Sequence, residues 1–124
     1  MTPWAAPVSD LCLQDAVGLA GLLRRREVSA REVVSAHIAR VEAFDPAINA
    51  IVTRTFDSAL ARAAAADEAL ARGRPLGLLH GLPVAHKDLA DTAGVRTTYG
   101  SRLFADHVPE QDALIVSRMS AAGA

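Results

Sequence analysis

Thiols and large rings are scarce in this chain: one cysteine, one tryptophan, one tyrosine and three phenylalanines among 124 residues. A lone Cys12 excludes an internal disulfide and a thiolate metal site, and reads as a small apolar residue near a helix start. With aromatics at 4% and alanine abundant, closely approached helices must supply the packing, and the core is thin for a free-standing unit of this length. Neither sign of charge dominates. The formal net charge is −1, which excludes attraction to nucleic acid or an acidic membrane through bulk charge. The cluster Arg24, Arg25, Arg26 is followed at once by Glu27 and reads as a solvated helix end. A long apolar run is also missing. The start, MTPWAAPVSD, has no charged n-region, and Asp15 interrupts the next segment before it can span a bilayer, so no membrane association and a cytoplasmic location are the expectation. His80, His86 and His107 lack the spacing that sets two ligands on one helix face, so no metal or other cofactor is expected, and His37 reads as a boundary residue.

Lysine is the other scarcity. Lys87 is the only one, beside twelve arginines, and it lies in the stretch VAHKDLAD, residues 84–91.

What is present is helical periodicity. Residues 1–12 read as an N-terminal extension, and from Leu13 to Arg26 the positions Leu13, Ala16, Val17, Ala20 and Leu23 predict a first amphipathic helix. The run SARE, residues 29–32, matches a capping box, with Val34, Ile38, Val41 and Phe44 behind it and Asp45-Pro46 as the expected end. A short β-branched run at 49–53 predicts a strand. Phe56 to Arg72 returns to helical period through Phe56, Leu60, Ala63 and Leu70, with Gly73 as its stop. Residues 73–101 carry five glycines and two prolines, the density of tight turns around strands. From Asp112 to Ala122 a last helix is predicted, with Leu114, Ile115 and Met119 facing inward and Gly123 as its stop.

The segment Leu82 to Leu89 is apolar on both alternating faces, as a strand buried inside a sheet would be. Only one other strand is predicted to pair with it. The expectation is therefore an α/β chain: N-terminal helices and the first strands of a larger mixed sheet, with residues 13–124 forming an incomplete domain.

On the strand reading, Lys87 shares a face with Ala85 and Leu89 while His86 and Asp88 point the other way. Roughly 4 kcal/mol of desolvation brings an amine from about 10.4 to near 7, whereas arginine stays protonated inside proteins. A single retained lysine thus fits a general base, and equally a strand-end cation snorkelling to water or an ion-pair partner. Asp88 and Asp91 read as acceptors for turn amides.

The segment GLLHGLPVAHKDLAD, 77–91, followed by GVRTTYGS, 94–101, closely resembles the amidase signature family, whose pattern runs G-x-L-x-G-[IV]-P-x-x-x-K-D and then T-T-x-G-S. The runs EVSARE at 27–32, INAIVT at 48–53 and SAAGA at 120–124 are similar to it as well. The resemblance implies a mixed-sheet fold and a Ser-cisSer-Lys triad in which Lys87 is the base, with Gly81, Pro83 and Asp88 supporting the motif. By analogy with the family, Thr97, Thr98, Gly100 and Ser101 line the acyl pocket, or are simple turn chemistry. The implied reaction is hydrolysis of a small-molecule amide to an acid and ammonia or an amine through a serine acyl-enzyme. Both family serines lie in a Gly/Ser-rich segment downstream of the last helix, so these 124 residues are expected to be catalytically incomplete; Ser101 does not make a G-x-S-x-G elbow. The alternative is a truncated, inactive relative acting as a binding or self-association module, and a homo-oligomer is compatible with either. The KDLAD and TTYGS forms look more like stand-alone amidases than transfer RNA amidotransferase subunits.

Overall fold

The computed structural model describes residues 9–74 and 77–124. A 3-10 turn, Asp10–Leu13, leads into helices α1 (Ala16–Arg24), α2 (Ala30–Ile48) and α3 (Phe56–Ala71), and a second 3-10 turn, Arg102–Phe104, precedes α4 (Leu114–Ala121). Of the expected extension 1–12, residues 1–8 lie outside the described residues, while Leu11 of the first turn packs against the core.

α1 starts three residues later than expected because Asp15 is its N-cap, taking the Gly18 amide at 2.7 Å. Its inward face is Leu19 and Leu23; Leu13 and Val17, expected inside, are 70% and 83% exposed. The helix is there, but rotated relative to the predicted stripe, since the core that Leu19 and Leu23 share with Val33 and Val34 fixes which of two adjacent apolar rows is buried.

The first turn of α2 has all its free amides satisfied. Ser29 Oγ accepts from Glu32 N and Glu32 Oε2 accepts from Ser29 N, closing the predicted capping box. The Val33 amide reaches Ser29 O, and the carboxylate of Asp67, on α3, takes the amides of Ala30 at 2.7 Å and Arg31 at 3.1 Å. The expected end at Asp45-Pro46 is corrected: α2 runs on to Ile48, with Pro46 inside it. Buried Asp45 is what permits this. Its carboxylate reaches forward to the amides of Ala50 and Ile51 and pairs with Arg54 at 2.9 Å, while Asn49 closes the helix in the left-handed region at φ +54. Those amide bonds, the Ile51 amide first, hold Asp45 below the usual carboxylate range. α3 ends as expected, with Gly73 at φ +65 donating to Leu70 O and Arg74 to Ala69 O.

The core is Leu19, Leu23, Ala30, Val33, Val34 and Ala63, with Leu82 inserted from the following loop. α2 packs on α3 and on the first 3-10 turn. Gly81, at φ +76, lets this loop approach: a Cβ there would sit 2.9 Å from the Ala30 methyl. The end of α4 meets the same loop, where Leu79 N donates to Ala122 O and Gly81 N to Gly123 O, both at 2.9 Å. In α4 the buried residue is Val116, whereas Leu114 and Ile115, expected inside, are exposed.

The helical half of the expected fold therefore stands, and the strand half does not. Among the described residues there is no β-strand, only an isolated bridge between Thr92 and Val95. A strand exists through a ladder with a second backbone. At 49–53 the Ala50 and Ile51 amides are taken by Asp45, and in 82–90 the backbone makes two turn bonds, Leu82 N to Leu79 O and Ala90 N to Lys87 O, and a single cross-loop bond, Tyr99 N to Asp88 O, which is not a ladder.

Candidate functional site

The stretch from Lys87 to Ser101 folds as two interlocked turns. Lys87 O accepts from Ala90 N at 2.8 Å, so Lys87 opens the first turn and Asp88 occupies its next position. Thr98 O accepts from Ser101 N at 3.0 Å in the second, whose central residues Tyr99 and Gly100 have φ of +53 and +67. Two successive positive φ values mark a type I′ turn, for which Gly100 is the expected residue and Tyr99 an unusual one.

The turns are joined through carboxylates. Asp88 Oδ1 accepts from Thr98 N at 2.8 Å, Asp88 Oδ2 accepts from the Thr98 hydroxyl, and Asp88 O accepts from Tyr99 N at 2.9 Å. The Thr98 hydroxyl, then the Thr98 amide, hold the Asp88 carboxyl below the usual carboxylate range. Asp91 takes the Tyr99 hydroxyl rather than a turn amide, and that bond, with Asp91's charge, raises the phenol above its ordinary value. The Tyr99 ring lies 5.1 Å edge-on from Phe104 and 5.6 Å from His107, so three rings pack beneath the turn. Thr97 N donates to His107 O and Ala113 N to Asp91 O, which carries the tie on to the start of α4.

Thr97 and Thr98 are buried; Gly100 is exposed, and Ser101 caps the second 3-10 turn by accepting from Leu103 N. Pro83 is half-buried beside Leu82, and Gly81 lies in the core contact already described. His80 Nε2 meets Ala66 O at 3.0 Å, His37 Nδ1 meets Val33 O at 2.8 Å and His86 is exposed. No metal-competent cluster of side chains occurs among the described residues.

Of the two readings of the surroundings of Lys87, the buried strand is not found among the described residues and contact with water is. The side chain is exposed, as are Ala85, His86 and, at 59%, Leu89, because no neighbouring strand covers either face of this segment. Among the described residues the amine has no hydrogen-bond or ion-pair partner. Nor does it line two concave regions formed by the described residues, one of 280 Å³ beside Ser29 and Asp67, another of 210 Å³ lined by Leu19, His37, Leu79, Leu82, Val84 and Met119. The sequence singled out Lys87, Asp88 and the TTYGS loop separately; it missed the Asp91–Tyr99 clasp and the ring cluster. The one local signal was the Tyr-Gly pair, since a glycine in the middle of a four-residue turn points to positive φ.

No described helix is long and apolar enough to cross a membrane. The Amidase family model matches residues 32–124. Over 106 residues the chain is 51% identical to a glutamyl-tRNA(Gln) amidotransferase subunit of Methylococcus capsulatus, covering 86% of this chain and 22% of the relative. The corresponding subunit of Acidothermus cellulolyticus is 44% identical over 116 residues, 94% of this chain and 23% of that one. Among solved structures, a bacterial aryl acylamidase of the amidase signature enzymes superposes with a TM-score of 0.83 at 30% identity, over 90% of this chain and 24% of the other. A component of a vestigial protein complex, described as revealing the origins of an s-triazine catabolic enzyme, gives 0.84 at 38%, over 89% and 24%. The chain thus spans under a quarter of the length of these relatives. With the family model matched from the first turn of α2 through the Lys87 and TTYGS turns to α4, the chain belongs to the amidase signature family.

Proposed function

We propose that this segment carries the lysine base of a serine amidohydrolase, and that Lys87 is that base. The supporting observation is the joint presence of the family match and the geometry around residue 87: the only lysine opens a turn whose next residue, Asp88, is tied to the TTYGS loop. In the reaction the neutral amine of Lys87 takes a proton from a bridging serine, which takes one from the nucleophilic serine. The nucleophile's oxygen attacks the amide carbonyl carbon, the C–N bond breaks as the nitrogen leaves carrying a proton, and water cleaves the ester to release the acid. Following the family's layout, both serines come from sequence beyond residue 124, and the same part of the intact protein covers the exposed amine and removes it from water.

Lys87→Ala in the intact protein is expected to lower amide turnover about 10²- to 10⁴-fold with the circular dichroism spectrum unchanged. Lys87→Arg should be as inactive, because a guanidinium does not deprotonate. Normal turnover by a folded Lys87→Ala protein would sink the assignment. The 44–51% identity to amidotransferase subunits favours a second reading, in which the same hydrolysis supplies ammonia to partner subunits that join it to a glutamyl-tRNA carboxyl activated by a nucleoside triphosphate, with phosphate leaving. Measuring ammonia release with and without that acceptor and those subunits separates the two.

A further inference from the structure

We infer that Asp88 is a positioning residue for Lys87, acting by fastening the TTYGS loop to the backbone on which the lysine stands; this rests on Lys87 being the base.

Four hydrogen bonds run from residues 98 and 99 to residues 88 and 91, and three of them end on Asp88: from Thr98 N, the Thr98 hydroxyl and Tyr99 N. The fourth ends on Asp91, the residue after the turn. Among the described residues no long-range backbone ladder fixes residues 83–87, so the peptide preceding Asp88 takes its direction from this clasp. The loop gripping it is itself held in a costly shape. A tyrosine at φ +53 costs on the order of 1–3 kcal/mol and persists only where its surroundings enforce it. Here the Tyr99 amide on Asp88 O, its hydroxyl on Asp91 and its ring against Phe104 and His107 do so. Thr98 is buried, which keeps water from competing for the carboxylate. A long lysine side chain has many rotamers, so a stiff attachment point sets how often its amine occupies one place.

The experiment uses the intact protein and ammonia release from a panel of aliphatic, aryl and amino-acid amides, with Lys87→Ala as the reference for loss of the base. Asp88→Ala is expected to lower kcat about a hundredfold with KM changed less than about threefold, the pattern of a misplaced group rather than lost substrate binding. Thr98→Val, a milder change that keeps the amide and removes the hydroxyl, should lose about tenfold in kcat and guards against a variant that does not fold. Asp88→Asn should recover to within about fivefold of wild type, because its amide oxygen accepts the Thr98 amide and the Thr98 hydroxyl rotates to meet its NH₂ group. In that variant the rising limb of the pH–rate profile should stay where it is in the wild type. Wild-type kcat in both Asp88→Ala and Thr98→Val, a loss confined to KM, or a limb moved to lower pH in Asp88→Asn overturns the inference; the last would mean that Asp88 acts through its charge. Turnover absent from the wild type across the panel, or undiminished in Lys87→Ala, overturns the underlying assignment instead.

Discussion

Two carboxylates do more for this chain than their number indicates. Asp45 and Asp88 each accept backbone amides as well as a side-chain donor, and both are held below the ordinary carboxylate range. A carboxyl depressed in the folded state contributes stability that is present above its unfolded value, about 3.9, and is lost as pH falls through the folded value. Thermal unfolding should therefore be nearly flat in pH from 7 down to about 4 and should weaken below that. Asp88→Asn should flatten part of the acid fall; an unchanged acid slope in that variant would show that the Asp88 bonds do not form. Sequence alone identified Asp88 as an acceptor of turn amides, because an aspartate beside a turn has that habit. It left Lys87 between a desolvated amine and a cation reaching water, and the side chain is exposed. An apolar neighbour buries a side chain only when something packs on both, and Ala85 and Leu89 are themselves exposed.

At the scale of elements, what was local was legible. The capping box of α2 and the glycine stops after α3 and α4 need only a few adjacent residues, and they form where expected. Ser29→Ala should cost about 1 kcal/mol, read as a lowered urea midpoint with an unchanged slope. A cost near zero would mean that Asp67 alone holds that helix end. What depended on distant partners was not legible. The faces of α1 and α4 are chosen by what they pack on, so Leu19 and Val116 are inside while Val17 and Ile115 are not. The end of α2 passed the proline because Asp45 supplies acceptors beyond it, and the predicted strands lack the second backbone that would define them.

At the scale of the whole molecule, the helices enclose a small core and leave several large apolar side chains in water. Leu103 is 91% exposed and Leu78 is 78% exposed, with Leu89, Val108, Leu114 and Ile115 also outside. Single exposed leucines are ordinary, but this many on a chain of 124 residues predicts association. Sedimentation velocity on the 124-residue chain should show larger species growing with concentration, and a monomer at every concentration would count against these residues forming a sticky surface. At the edge of that core, the amides of Ala30 and Arg31 donate to the Asp67 carboxylate across 37 and 36 residues of chain. The first turn of α2 therefore cannot complete its hydrogen bonding from its own neighbourhood. It closes only when α3 has docked, which makes the two helices one cooperative unit: neither end of that contact can fray without releasing the other.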